Sequence, residues 1–275
     1  MKENITYMYE FGFIGVGNMG SALVKAATQH VDPSRIILAN RTATKAEVLA
    51  ATLGCAHGDN LVAAKNSRFI MLGVKPQAMA DMLSGIAPVL SQRKGGFVLV
   101  SMAAGLPIKR IQELVGSDYP VIRIMPNTPC AVGDGVLLCC RSENVSDADY
   151  SAFKENMSGA GTAVDLNENL FDAGCAISGC GPAYVYMFIE AMADAGVACG
   201  LPRADAVTLA SITLRGSADL VLQSGKHTAQ LKDNVCSPGG STIAGVMELD
   251  RGGFRAAIEN CVLAAYNKTR DLASF

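Results

Sequence analysis

Histidine and charge are both scarce in this sequence. Its three histidines, His30, His57 and His227, stand far apart along 275 residues and suggest no metal cluster. Only 17% of residues are charged, the net charge is -2, and no basic tail or run of like charges occurs. Nucleic acid and anionic membranes are therefore not expected partners, because both call for clustered positive charge. No stretch offers about 20 uninterrupted apolar residues, which argues against a membrane span. The first residues place Lys2, Glu3 and Glu10 around a short apolar stretch, unlike a signal peptide. The nine cysteines form no metal-type pattern, and neither Cys139-Cys140 nor Cys175 with Cys180 has zinc-ligand spacing. Buried or free thiols in a reducing, cytoplasmic compartment are the expectation.

What the chain has in plenty is apolar residues, at 50% of the total, enough for a substantial core. Over residues 1–166, short apolar runs alternate with helical stretches. Strands are predicted at Tyr9–Ile14, Ile36–Ala39, Phe69–Val74, Phe97–Ser101, Val121–Met125, Val136–Cys140 and Ala163–Asp165. Helices are predicted to begin near Gly20, Thr44, Asn60, Gln77, Pro107 and Ser146. Strands this apolar suit a parallel sheet covered on both faces, which gives an α/β, doubly wound, Rossmann-type domain. Residues 167–275 contain no convincing strand. Helices are predicted from Pro182 towards Cys199 and at Arg203–Gln223, Thr228–Asn234, Ser241–Leu249 and Gly253–Ala273. The stretch Ala183–Val197 is apolar around much of its circumference and must be buried, in its own subunit or in a partner. A helical dimer accounts for that better than helices that merely cap the first domain.

The turn Gly15-Val16-Gly17-Asn18-Met19-Gly20 follows the first strand and opens a helix, the context in which such a turn binds a dinucleotide. Gly15 permits the tight turn, Gly17 lets the backbone approach a pyrophosphate, and Gly20 allows close helix–strand packing. The helix N-terminus supplies amide donors and partial positive charge. NAD-binding domains generally place a carboxylate at the end of the second strand, whereas this chain reads Asn40-Arg41-Thr42. Arg41 can pair with a 2′-phosphate, and Asn40 and Thr42 can donate hydrogen bonds to it, which favours NADP(H) over NAD(H). Two further loops, Gly73-Val74-Lys75-Pro76 and Ser101-Met102-Ala103-Ala104-Gly105, follow later strands, and the small residues of the second leave room for a nicotinamide ring. Lys75 suits either a cofactor or a surface role.

Together, several segments resemble the pyrroline-5-carboxylate reductase family. They are Gly15–Gly20, Gly73–Pro76, Arg123–Pro129 (RIMPNTP), Gly179–Tyr184 (GCGPAY) and Leu231–Gly245 (LKDNVCSPGGSTIAG), the last being the most specific. The resemblance implies a Rossmann-type domain followed by an all-helical domain that dimerises, with larger rings of dimers in some members. It implies reduction of 1-pyrroline-5-carboxylate to L-proline by hydride from NAD(P)H, the last step of proline biosynthesis. Cofactor contacts carry over to Gly15, Gly17, Asn18, Met19, Gly20, Asn40, Arg41, Thr42, Asn60, Val74, Lys75, Pro76 and Ala103. Substrate contacts carry over to Ser237, Gly240, Ser241 and Thr242. Two positions depart from the family pattern, with Cys180 where serine is usual and Thr228 where proline is frequent. A protonated imine is already electrophilic, so the reaction needs positioning more than acid–base machinery. Ser237 and the backbone amides near Ser241 suit the substrate carboxylate, and Thr242 suits the ring nitrogen as its catalytic partner. Sequence alone leaves a six-membered cyclic imine open as substrate, and also a catalytically silent NADP-binding protein.

Overall fold

Phe11, Phe13 and Ile14 alternate along the first strand, yet all three are buried, so both faces of that strand are covered. The computed structural model describes residues 7–93 and 96–273; Lys2 and Glu3 lie outside the described residues. The elements run β1 (Tyr9–Ile14), α1 (Asn18–Ala27), β2 (Ile36–Ala39), α2 (Ala43–Leu53), β3 (Ala56–His57), α3 (Asn60–Asn66) and β4 (Ser67–Leu72). There follow α4 (Met79–Ser91), β5 (Val98–Ser101), α5 (Ile108–Val115), β6 (Val121–Pro126), β7 (Gly135–Arg141), α6 (Asp147–Asn156) and β8 (Gly161–Asp165). The remainder is helical: α7 (Phe171–Gly174), α8 (Gly181–Ala198), α9 (Arg203–Ser224), α10 (Thr228–Asn234), α11 (Ser241–Arg251) and α12 (Phe254–Ala273).

The strands form one sheet in the order β3-β2-β1-β4-β5-β6-β7-β8, parallel except where β6 meets β7. On one face Phe11, Phe13 and Phe69 pack with Leu23 and Val24 of α1 and Phe153 of α6. On the other, Ile14, Ile70 and Leu72 pack with Ile86 and Leu90 of α4 and Ile111 of α5. Two covered faces explain why these strands carry no polar alternation. The doubly wound α/β sheet expected from the sequence is therefore the observed architecture. No helix among the described residues is long and apolar enough to cross a membrane.

Some boundaries differ from the sequence prediction, each for a physical reason. β4 spans Ser67–Leu72 rather than Phe69–Val74. Ser67 is buried against Gly12, where a Cβ would run into its hydroxyl, and Arg68 reaches back to Glu10, so two polar residues are held in the strand. The helix expected near Gln77 starts at Met79, after a 3₁₀ turn over Pro76–Ala78 with proline in its first turn. β3 has only two residues, too few to show a period. Beneath the sheet, Glu10 accepts from Arg35 at 2.9 Å and from Arg68 at 2.8 Å, and Arg68 also pairs with Asp149 at 2.8 Å.

By packing, the described residues up to Gly179 form one unit, joined by those from Tyr266 on, and Cys180–Ala265 form another. The sequence pattern changes at Leu166, but the packing changes only at Gly179. The intervening segment is fastened to β6. Arg123 bonds Glu168 at 3.1 Å and stacks over Phe171 at 4.7 Å, and further along Asn127 donates to the Ser178 carbonyl at 3.0 Å. A π-turn over Cys175–Gly179 ends this segment.

Within the second unit, Pro182 occupies the first turn of α8 as expected. α8 and α9 meet through small residues, and a Cβ on Gly196 would lie 3.1 Å from that of Ala206. Only Ala193, Ala206 and Ala210 are buried among the described residues of this unit. Tyr186, Met187, Leu209, Ile212 and Leu222 remain exposed, so the unit has almost no apolar core of its own.

Candidate active site

Register alignment brings the loops of the first unit into a row. Ile14 lies level with Ala39 of β2 and Leu72 of β4, and Leu72 is level with Ser101 of β5. The residues that follow, Gly15, Asn40, Gly73 and Met102, therefore leave the sheet along one edge. The chain reverses its winding between β1 and β4, which makes the crevice above Gly15 and Gly73 the topological switch point.

That crevice is built from glycine. Gly15 has φ +105°, a conformation that L side chains rarely adopt, and a Cβ there would strike the Gly73 carbonyl. A Cβ on Gly73 would strike the Gly15 carbonyl in return, and one on Gly20 would strike the same oxygen. Gly17 is different: nothing lies within 4 Å of the place its Cβ would take. It is the N-cap of α1, and no side chain caps that helix, so the amides of Asn18 and Met19 open a first turn without intrahelical partners. An anion is favoured at such a terminus.

Asn40, Arg41 and Asn60 line one depression of about 440 Å³, together with Asp59, Asp81 and Met82. Arg41 and Thr42 are exposed, and Asn40 is half-buried. Asp59 is the N-cap of α3, accepting from the Val62 amide at 2.8 Å, and so fixes Asn60 at the rim. The sequence reading passed over Asp59, although Asp before an apolar helical run is a capping signal. Asn40 is engaged within the protein at both ends of its amide. Its Oδ1 accepts from the Val16 amide at 3.2 Å, and its Nδ2 donates to the Thr42 carbonyl at 3.0 Å. Val74 packs against the core, whereas Lys75 and Pro76 are exposed on the loop that Gly73 begins. Ala103 is buried, its amide donating to the Ser101 hydroxyl at 3.4 Å.

The other predicted residues belong to the second unit. Gly240 is the N-cap of α11, which no side chain caps. Its amide donates to the Ser237 carbonyl at 3.0 Å, and a Cβ on Gly240 would run into the Ser237 hydroxyl. That hydroxyl therefore stands at the mouth of the helix, beside the first-turn residues Ser241 and Thr242, both exposed. An uncapped, glycine-rich helix entrance with a hydroxyl beside it is suited to a carboxylate.

Burial pushes the thiols of Cys139 and Cys140 up to about 12 and that of Cys55 up to about 11, so they stay protonated at neutral pH. All nine cysteines are free of disulfides.

A doubly wound sheet with a bare glycine turn at its switch point, followed by a helical unit with its own anion-type helix entrance, defines a nicotinamide-dinucleotide oxidoreductase of the two-domain kind. The family model described as pyrroline-5-carboxylate reductase dimerisation matches residues 168–272, and that described as NADP oxidoreductase, coenzyme F420-dependent, matches residues 10–105. The chain belongs to the pyrroline-5-carboxylate reductase family, whose members are NAD(P)H-dependent oxidoreductases. A relative from Glycine max with that name is 41% identical over 273 residues, covering 96% of each chain. A solved structure of Plasmodium falciparum pyrroline carboxylate reductase with NADP bound is 34% identical, with a TM-score of 0.86, over 96% of this chain and 98% of that one. The reductase from Coxiella burnetii is 29% identical, with a TM-score of 0.88, over the same shares of the two chains.

Proposed function

We propose that this chain reduces 1-pyrroline-5-carboxylate to L-proline with NAD(P)H, NADPH being the preferred carrier, in the cytoplasm and as a homodimer. The observation that carries the reading is the pair of uncapped helix entrances, Gly17 at α1 and Gly240 at α11, in a chain of this family. NAD(P)H, when bound at the first, supplies the hydride. Gly15, Gly17 and Gly20 let the backbone close on a pyrophosphate, which Asn18 and Met19 meet with their amides. Arg41 pairs with the 2′-phosphate, with Thr42 and Asn60 on the same side, and Val74, Lys75, Pro76 and Ala103 border the nicotinamide half.

At the second entrance Ser237, Gly240 and Ser241 hold the substrate carboxylate. Thr242 hydrogen-bonds the ring nitrogen, which takes one proton while the adjacent carbon takes the hydride. Positioning accounts for the rate more than proton transfer does. Thr242→Ala is expected to lower kcat by about tenfold or more; full turnover with unchanged KM would remove Thr242 from the mechanism. The division of labour follows residues 1–166 for the dinucleotide and 167–275 for substrate and dimer contacts. Exposed Tyr186, Met187 and Leu209 support the homodimer, because three buried alanines cannot hold a helical unit together. Rings of dimers, which some members form, are one further assembly open to such a dimer. Nine cysteines without a disulfide support a reducing compartment.

The deciding experiment mixes purified protein with NADPH and pyrroline-5-carboxylate and follows cofactor absorbance and proline formation. Proline formed with loss of NADPH is the expected result. Consumption of the six-membered imine without proline formation would overturn the substrate, and a clear NADH preference would overturn the part given to Arg41.

A further inference from the structure

Asn40 stands where a dinucleotide-binding domain ordinarily reads the ribose, yet both ends of its amide are already engaged within the protein. Oδ1 accepts from the Val16 amide and Nδ2 donates to the Thr42 carbonyl. The orientation of the amide is not arbitrary. A backbone N–H can only donate and a carbonyl can only accept, so one end must be oxygen and the other nitrogen.

The two bonds lead to different parts of the nucleotide site. Val16 is inside the glycine turn, next to Gly15, whose own amide donates to the Ala39 carbonyl at 2.8 Å. Successive amides of the turn are thus taken by successive residues at the end of β2, and the next residue, Gly17, opens α1. Thr42 closes the short loop that carries Arg41, and its own carbonyl also receives the Lys45 amide at 3.1 Å at the start of α2. We infer that Asn40 is a positioning residue that ties the pyrophosphate turn to the 2′-phosphate loop, setting the reach of Arg41 from the same amide that shapes the turn. The inference rests on the dinucleotide reading above and deepens it. Neither Ser nor Ala can span both partners, and Asp can serve only Val16, because its second oxygen would face the Thr42 carbonyl.

Two variants separate the two halves of the amide, with binding of NADPH and NADH followed by the fluorescence of the nicotinamide itself in a protein without tryptophan. Asn40→Ala loses both bonds and is expected to weaken NADH and NADPH alike, by about five- to tenfold. Asn40→Asp keeps the acceptor for Val16 and puts a negative charge beside the 2′-phosphate. It is expected to leave NADH binding near the wild-type value and to weaken NADPH on the order of a hundredfold. In both variants KM for the affected cofactor is expected to rise by a larger factor than kcat falls, a split that a general loss of stability would not produce. If Asn40→Ala weakens NADPH alone, Asn40 is a direct phosphate ligand and the positioning role is overturned. Equal loss of NADH binding in the Asp and Ala variants overturns it too. Wild-type protein that bound neither nucleotide would overturn the dinucleotide reading itself, a result that no pattern among the variants resembles.

Discussion

Asn127, at the end of β6, donates its side-chain amide to the Ser178 carbonyl at 3.0 Å while its Oδ1 accepts from the Val136 amide at 2.9 Å. One buried side chain, that of the residue following β6, therefore fastens the start of β7 and the π-turn Cys175–Gly179 to each other. Asn127→Ala strands a backbone donor and a backbone acceptor, which is expected to cost about 2 kcal/mol or more. Urea unfolding would show this as a lower midpoint, and limited proteolysis as new cleavage within Cys175–Gly179. An unchanged midpoint would show that Asn127 is not the fastening.

Gly73 and Gly17 should respond to alanine in opposite ways. Gly73→Ala runs into the Gly15 carbonyl, so the crevice must distort, at a cost of about 1–3 kcal/mol. Gly17→Ala meets no protein atom and is expected to leave the unfolding midpoint within about 0.5 kcal/mol of wild type. Its methyl group nevertheless fills the space assigned to the pyrophosphate, so nucleotide affinity should fall by about tenfold or more. A Gly17→Ala protein that binds NADPH as wild type does would move the pyrophosphate elsewhere.

Legibility in the sequence followed locality. The glycine turn, Pro182 in the first turn of α8 and the start of α11 at Ser241 were all readable, because each depends on residues within one helical turn. That α8 is apolar around much of its circumference was readable as a demand for burial, and the exposed Tyr186 and Met187 show that the single chain leaves it unmet. The inward commitment of Asn40 was not readable: residue type says that an amide can donate, not which carbonyl it finds. Nor was the bond from Asn127 to Ser178, whose partners are far apart in sequence. The Ser67 and Arg68 start of β4 was hidden for the same reason, since Gly12 and Glu10 hold it there.

The carboxylate of Glu10 is buried and held by Arg35 and Arg68. Removing Arg68 leaves that charge, and Asp149 beside it, short of a partner. Arg68→Ala is therefore expected to destabilise the protein by about 3 kcal/mol. The double variant Arg68→Met with Glu10→Leu should recover part of the loss, since it removes the buried charge of Glu10 and leaves without that partner only Arg35 and Asp149, both more exposed. Chemical denaturation of both proteins tests this, and a double variant less stable than the single would contradict it.

Asp165 gives a pH dependence of defined sign. Burial opposes its ionisation, but hydrogen bonds from Lys154 at 2.7 Å and Tyr150 at 2.6 Å outweigh that and hold its carboxyl below the ordinary value of 3.8. A carboxylate with a lowered folded-state pKa contributes stability that is fully present above the unfolded value and is lost as pH falls through the folded one. Asp165→Asn should accordingly lower Tm at neutral pH, and the difference should shrink below about pH 4. Thermal melts across that range check it; a gap that widens in acid would contradict the sign.

The mutual approach of Gly15 and Gly73 has a consequence for how such an enzyme can diverge. Each glycine occupies the room the other's side chain would need, so the seam between their two loops admits no variation from either side. Arg41 and Thr42, exposed at the rim, admit side chains of almost any size. On the proposed placement of the cofactor, descendants of this chain are free to change which dinucleotide they prefer while inheriting this glycine seam unaltered.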